Sequence, residues 1–148
     1  MQFYVKPIGV IRSPYKKIDE APIQGRFSSK ICEVHVFNEF SAGLKDIELC
    51  THLIILYWLH LARRDEMITV PPHEKKEHGV FATRSPNRPN PIGFAVVELL
   101  ERIGNVLKVR GLDAVDETPV IDIKPYSTNL DCFENARIGW FEIMEVIK

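Results

Sequence analysis

Apolar residues recur at every second position through most of this chain and hardly anywhere at helical spacing. From Lys30 to Val36, Cys32, Val34 and Val36 share one face while Ile31, Glu33 and His35 share the other, which predicts a strand with one side on a core. Tyr4 to Ile11 is a second strand by the same reading. The run Thr51 to Leu59 is β-branched and aromatic, as a strand buried on both faces would be, although periodicity alone leaves a short buried helix open. Gly79 to Thr83 and Ile92 to Leu100 read as extended, and Leu107 to Arg110 alternates after Gly104-Asn105, a dipeptide suited to a two-residue hairpin. Phe141 to Ile147 closes the chain as a last strand. One short helix is predicted, with Ser41 capping a turn or two that carries Leu44, Ile47 and Glu48. Strands without strand-helix-strand alternation, joined by long loops, predict an all-β domain over residues 1–148, an antiparallel barrel or sandwich. The polar stretch from Ala62 to His78 is too long for a tight turn and reads equally as a functional loop or a surface excursion.

Composition narrows this picture. The chain has 148 residues, 45% hydrophobic and 26% charged, enough for one core that buries about 70% of the unfolded surface. The net charge is −1, so no global cationic field marks a nucleic-acid or membrane partner. The charge is uneven, however: residues 1–110 carry sixteen basic and twelve acidic side chains, and residues 111–148 three and eight, so a polyanion should meet the earlier part. Cys32, Cys50 and Cys132 are odd in number and widely spaced, which predicts buried, reduced thiols in a cytoplasmic protein. The longest apolar run, Leu53 to Leu59, is far below the roughly 20 residues of a membrane span. His73 to His78 lacks both zinc-helix spacings, so no metal is expected. No dinucleotide fingerprint, phosphate loop or nucleophile elbow is present. His52 and His60, eight apart, would share one face of a strand.

Three segments concentrate chemistry. Arg84-Ser85-Pro86-Asn87-Arg88-Pro89-Asn90-Pro91-Ile92-Gly93 holds guanidiniums and carboxamides on a path that prolines stiffen, suiting an anion or the edge of a base; composition alone reads it as a connector. Asp113 to Tyr126 sets Asp113, Asp116 and Asp122 in and beside a Val/Ile-rich run, where carboxylates are costly unless paired or placed at a mouth. They would serve as ribose ligands, bases or cation partners, or else as a rim pair with Lys124 and a turn cap at Asp116. Ala21 to Arg26 is an irregular loop with one amide and one guanidinium.

Together these segments resemble the TsaA-like, or TrmO-type, family of S-adenosylmethionine-dependent tRNA methyltransferases. The resemblance runs from Ile8 through Tyr15 to Gly139-Trp140, most specifically in Gly79 to Gly93 and Thr118 to Tyr126. It implies a small antiparallel β-barrel, usually a homodimer, that binds S-adenosyl-L-methionine and methylates N6 of the threonylcarbamoyl-adenosine beside the tRNA anticodon. The implied cofactor contacts fall on Pro22, Ile23 and Gln24, on His60 and Leu61, on Arg84 and Phe94, and on Asp116, Glu117, Thr118 and Pro119. Ile23 stands where Arg is common, Leu61 where Gln is common, and Glu117 where Gly is usual; a turn needing positive φ would strain Glu117. A short form without the additional C-terminal domain of longer bacterial relatives is expected.

The residues fit such a reaction. Methyl transfer from a sulfonium depends chiefly on holding donor and nucleophile together, and a carbonyl on N6 eases loss of its proton. The base is open between Asp122 and His60. Arg26, Arg63, Arg64, Lys75, Lys76 and Arg88 are candidate phosphate contacts, with Tyr126 or Trp140 as stacking platforms. The alternative is a non-catalytic S-adenosylmethionine-binding module; a scaffold whose proline-rich loop binds other proteins is a third reading.

Overall fold

The computed structural model describes residues 1–72 and 74–141, apart from the side chain of Phe27. The alternating segments β1 (Gly9–Arg12), β2 (Ile31–Val36), β3 (His52–Trp58), β6 (Ile92–Ile103), β7 (Val106–Arg110) and β8 (Pro119–Pro125) form the wall of a closed barrel. Their order around it is β1-β2-β7-β6-β3-β8, every neighbour antiparallel. The residues facing inward are those the alternation singles out: Cys32 and Val34 on β2, Leu53, Ile55 and Tyr57 on β3, Leu107 and Val109 on β7, each at most 2% exposed. Burial of each aliphatic side chain contributes about 1.5–3 kcal/mol.

β8 seals the barrel by pairing with β3 on one side and β1 on the other. Its register against β3 slips between Leu56 and Tyr57, which face Asp122 and Val120. The extra residue reverses the alternation, so Val120 points into the core while Asp122 turns outward and pairs with Lys124 at 2.9 Å. The Lys124 pairing is thus the rim salt bridge that was one reading of this carboxylate.

Several expectations are corrected. β1 starts at Gly9 rather than Tyr4, leaving Phe3, Tyr4 and Val5 exposed. Gly79 to Thr83 is not a strand: Val80–Ala82 is a 3₁₀ turn, and it buries Val80 and Thr83, three apart. Ser41 caps nothing; it lies inside a 3₁₀ segment, Asn38–Leu44, followed by another at Ile47–Leu49. The Ala62 to His78 stretch is partly ordered by a hairpin of β4 (Ile68–Thr69) and β5 (His78–Gly79). Of the expected last strand, Phe141 belongs to a 3₁₀ turn, Gly139–Phe141, and residues 142–147 lie outside the described residues. One four-residue helix, α1 (Thr128–Asp131), follows β8, and Cys132 just after it is exposed; of the three cysteines expected to be buried, Cys32 is buried in the barrel and Cys50 is half-buried. The Gly104-Asn105 hairpin is found, with Gly104 at φ 58°, joining a β6 that runs to Ile103. No helix among the described residues is long and apolar enough to cross a membrane.

Antiparallel order decides which loops meet. The β1–β2, β3–β6 and β7–β8 connections all leave one rim, whereas the β2–β3 connection, the Gly104-Asn105 turn and the exit from β8 share the other. Every residue that the family resemblance implied as a cofactor contact lies in the first three connections or at the strand ends bounding them.

Candidate functional site

The β1–β2 and β7–β8 connections are laced together. Ile11 N–H donates to the Thr118 carbonyl (2.9 Å), Glu117 N–H to Ile11 (2.8 Å) and Asp116 N–H to Tyr15 (2.7 Å). Ser13 Oγ–H donates to the Ala114 carbonyl (2.8 Å), and the Ser13 amide to Asp116 Oδ1 (2.9 Å). Lys16 Nζ meets the other Asp116 oxygen at 2.7 Å. Burial works against the Asp116 charge, but the Lys16 ammonium, the Ser13 amide and the Arg12 guanidinium outweigh it and hold the carboxyl below its ordinary range. Glu117 has φ 69°, the left-handed region, and its carboxylate meets Arg12 at 3.1 Å. The turn therefore does demand a positive φ, at a strain of about 1–2 kcal/mol for a residue with a Cβ. Thr118 is buried, its hydroxyl donating to the Val115 carbonyl at 2.7 Å.

Three residues earlier, Asp113 draws in the other loops. Its carboxylate accepts a hydrogen bond from the Tyr57 hydroxyl, near the end of β3, and the backbone of Gly25, next to Gln24, also favours its ionised form. The Arg84 charge also favours the ionised form, more weakly. Desolvation exceeds these contributions, so the Asp113 carboxyl is pushed above its ordinary range. Tyr57 is raised too, by burial and then by the Asp113 charge. On β2, burial followed by the charges of Asp113 and Asp116 pushes the Cys32 thiol up to about 11, leaving it neutral. Two glycines permit this packing: a Cβ at Gly93 would strike the Tyr57 ring, and one at Gly25 would strike the Gly111 carbonyl.

Of the four arginines in the β3–β6 connection, Arg84 and Arg88 have opposite fates. The Arg88 guanidinium is used up on the carbonyls of Thr83 (3.1 Å), Ser85 (3.0 Å) and Val80 (3.0 Å). Arg84 lies with its guanidinium 5.4 Å from the Phe94 ring centre and makes no hydrogen bond to another described residue. Its donors are free for an anionic ligand. Arg64 is also spent, donating to the Pro89 carbonyl (2.8 Å) above the Trp58 ring, and Arg63 pairs with Asp65 and Glu66. Trp140 stacks on His78 (centroids 4.4 Å) and donates its indole N–H to the Ala82 carbonyl at 3.0 Å, while Tyr126 lies edge-on to His52 at the far rim.

A sequence profile of the tRNA-methyltransferase O N-terminal domain matches residues 10–132. The chain belongs to that family. It is 66% identical over 142 residues to a probable S-adenosyl-L-methionine-binding protein of Archaeoglobus fulgidus, covering 96% of this chain and 39% of that protein. A second Archaeoglobus fulgidus protein, named S-adenosyl-L-methionine-binding protein, is 56% identical over 86% of this chain and 92% of its own length. The tRNA (adenine(37)-N6)-methyltransferase of Escherichia coli is 43% identical over 84% of this chain and 57% of its own. The crystal structure of TrmO from Pseudomonas aeruginosa superposes with a TM-score of 0.79 at 32% identity, over 94% of this chain and 62% of that one. The chain thus spans about two fifths of the first of these relatives and about three fifths of the last two.

In this tRNA-methyltransferase O barrel the implied contacts gather at one rim but in two groups. Gln24 caps the 3₁₀ turn Gly25–Phe27 through its backbone, with Pro22 and a largely exposed Ile23 before it, and Gly25 joins this loop to Asp113. Arg84 lies on Phe94, and exposed His60 and Leu61 follow the end of β3. Asp116, Glu117, Thr118 and Pro119 form the second group, toward β1. His52 and His60 stand at opposite rims, so their even spacing builds no site. Sequence reasoning missed Tyr57, Gly25 and Gly93, together with the use of Lys16. The signal for one pair was available: a tyrosine inside an apolar run and an aspartate beside another each need a buried partner.

Proposed function

We propose that this rim binds S-adenosyl-L-methionine and that the protein, a cytoplasmic homodimer, transfers the methyl group to N6 of threonylcarbamoyl-adenosine next to the anticodon of tRNA. The observation that carries the reading is Arg84, an arginine with unspent donors on an aromatic ring, among loops locked to one another by hydrogen bonds. As the new C–N6 bond forms, the methyl–sulfur bond breaks, its electron pair stays on sulfur as the thioether, and the N6 proton leaves to a base. Holding the two reactants near ~3–3.5 Å supplies roughly 7–11 kcal/mol of the barrier. Among the candidate phosphate contacts, Arg26, Lys75 and Lys76 are the ones whose side chains make neither an ion pair nor a hydrogen bond to another described residue, and they are preferred to Arg63, Arg64 and Arg88 as contacts for the acceptor. Exposed Leu61, Met67, Ile68 and Phe81 give the β3–β6 connection an apolar surface for the second copy. Matched tRNA with and without the threonylcarbamoyl group, profiled for methylated nucleosides, tests the acceptor: methylation of both alike overturns it.

A second reading, a non-catalytic S-adenosyl-L-methionine binder, is favoured by one observation. Asp122, a candidate base, faces outward onto Lys124, which leaves exposed His60 as the other candidate. Calorimetric binding of the cofactor with no methylation of any tRNA would establish this reading.

A further inference from the structure

We propose that Trp140 straps down the Val80–Ala82 turn and so acts as a positioning residue for Arg84, two residues beyond that turn. Its bearing on the cofactor rests on the function proposed above; the strap itself does not. After β8 and α1 the chain crosses from the far rim to the loop rim. There Gly139–Phe141 presents the indole from a 3₁₀ turn of its own, closed by the Phe141 amide on the Ile138 carbonyl at 2.9 Å, with the Phe141 ring edge-on at 5.6 Å. Two contacts hold the indole on the β3–β6 connection. Its face stacks on His78 of β5, centroids 4.4 Å apart and planes 23° from parallel, and its N–H reaches the Ala82 carbonyl at 3.0 Å.

A turn of three residues leaves carbonyls that it cannot itself satisfy. Arg88 takes those of Val80, Thr83 and Ser85, and the indole, which can only donate, takes that of Ala82 in their midst. The His78 end costs stability. Its Nε2 is buried without a hydrogen bond to any described residue, 3.6 Å from a Glu74 carboxylate oxygen, and such an atom needs a compensating gain. The gain is the ring face that carries Trp140. The seat is fixed, because His78 pairs with Thr69 across the β4–β5 hairpin and the Val80 amide bonds the Met67 carbonyl at 2.9 Å. Hairpin, turn and strap are thus one unit, and the backbone leaving it carries Arg84. Among the described residues the Arg84 guanidinium has the Phe94 ring and no hydrogen bond, so this backbone sets where its donors are offered.

Amide hydrogen exchange at Thr83 and Ser85, on either side of Arg84, reads the strap. The Thr83 amide donates to the Val80 carbonyl (3.1 Å) and the Ser85 amide to Thr83 Oγ1 (3.2 Å), while the Ile11 amide, on the Thr118 carbonyl, reports the barrel. In Trp140→Ala the two loop amides exchange about ten- to a hundredfold faster and Ile11 is unchanged. Trp140→Phe keeps a ring on His78 but loses the donor, and quickens them about two- to tenfold. His78→Phe keeps the stack, removes the unsatisfied nitrogen and slows them. Calorimetric affinity for S-adenosyl-L-methionine falls about three- to tenfold in Trp140→Ala, and by reciprocity the cofactor slows exchange of the wild-type Trp140 indole proton. Unchanged Thr83 and Ser85 exchange in folded Trp140→Ala overturns the proposal; should that variant not fold, unchanged exchange in Trp140→Phe overturns it. A cofactor affinity that Trp140→Ala leaves unaltered overturns the bearing on the ligand. A wild type that binds no cofactor removes the proposed function, while the exchange of Thr83 and Ser85 still decides whether Trp140 holds the Arg84 backbone.

Discussion

Asp113 and Asp116 stand three residues apart in one connection and titrate in opposite directions. Asp116 is clamped by an amide, an ammonium and a guanidinium, and its charge stabilises the fold. Asp113 is sunk beside a tyrosine, and its charge opposes the fold. The Asp116 contribution is present above the ordinary carboxylate range and is lost as pH falls through its lowered value. The Asp113 contribution runs the other way: it is complete below the ordinary range and disappears as pH rises through its raised value. One loop thus carries a carboxylate whose interactions secure structure and another whose charge costs stability.

The largest test of this contrast is Gly93→Val. The new side chain must displace the Tyr57 ring, which should cost roughly 3 kcal/mol by overpacking and strip Asp113 of a hydrogen bond while leaving the Asp116 clamp intact. Denaturant unfolding checks the stability loss, and Ser13 amide exchange should stay slow in the folded fraction. Next is Asp116→Ala, expected to lose about 1–2 kcal/mol at neutral pH, with the deficit shrinking as pH drops and the wild type forfeits the same charge. A deficit independent of pH would mean that shape rather than charge matters there. Glu117→Gly relieves a left-handed backbone and gives up an exposed pair with Arg12, for a net gain of about 0.5–1 kcal/mol and a Tm higher by about 2–4 °C. The smallest effect belongs to Asp113→Asn, stabilising by under about 1 kcal/mol at neutral pH and by nothing in acid, as calorimetric melting across pH would show.

How much of this could be read from sequence depends on the range of the interaction. β2 was legible because each alternate side chain meets the same core, and so was the Gly104-Asn105 hairpin, a local event. Val80–Ala82 was not: an apolar stretch of five reads as extended, and only the burial of Val80 with Thr83 reveals a repeat of three. The small antiparallel barrel was legible through the family resemblance, and it is found; the alternation by itself leaves barrel and sandwich open, because closure is a pairing of β8 with both β1 and β3, far apart along the chain. At the site, Arg84 and Arg88 are indistinguishable in a proline-rich string; what separates them is which backbone carbonyls fold back within reach. Tyr57 and Asp113 are far apart along the chain, and nothing near either one names the other.

The seat of Trp140 has a practical corollary for anyone attaching a handle to this molecule. The polypeptide quits β8 at the rim opposite the loops, yet by Trp140 it has returned to the β4–β5 hairpin and Ala82. A reporter group attached to the Trp140 segment therefore lies beside the β3–β6 connection, one of the very loops whose ligand it would be used to detect. One attached beside Ile8, whose carbonyl accepts from the Phe37 amide, lies at the other rim. Surface immobilisation through the Ile8 segment therefore leaves the loop rim open to solution.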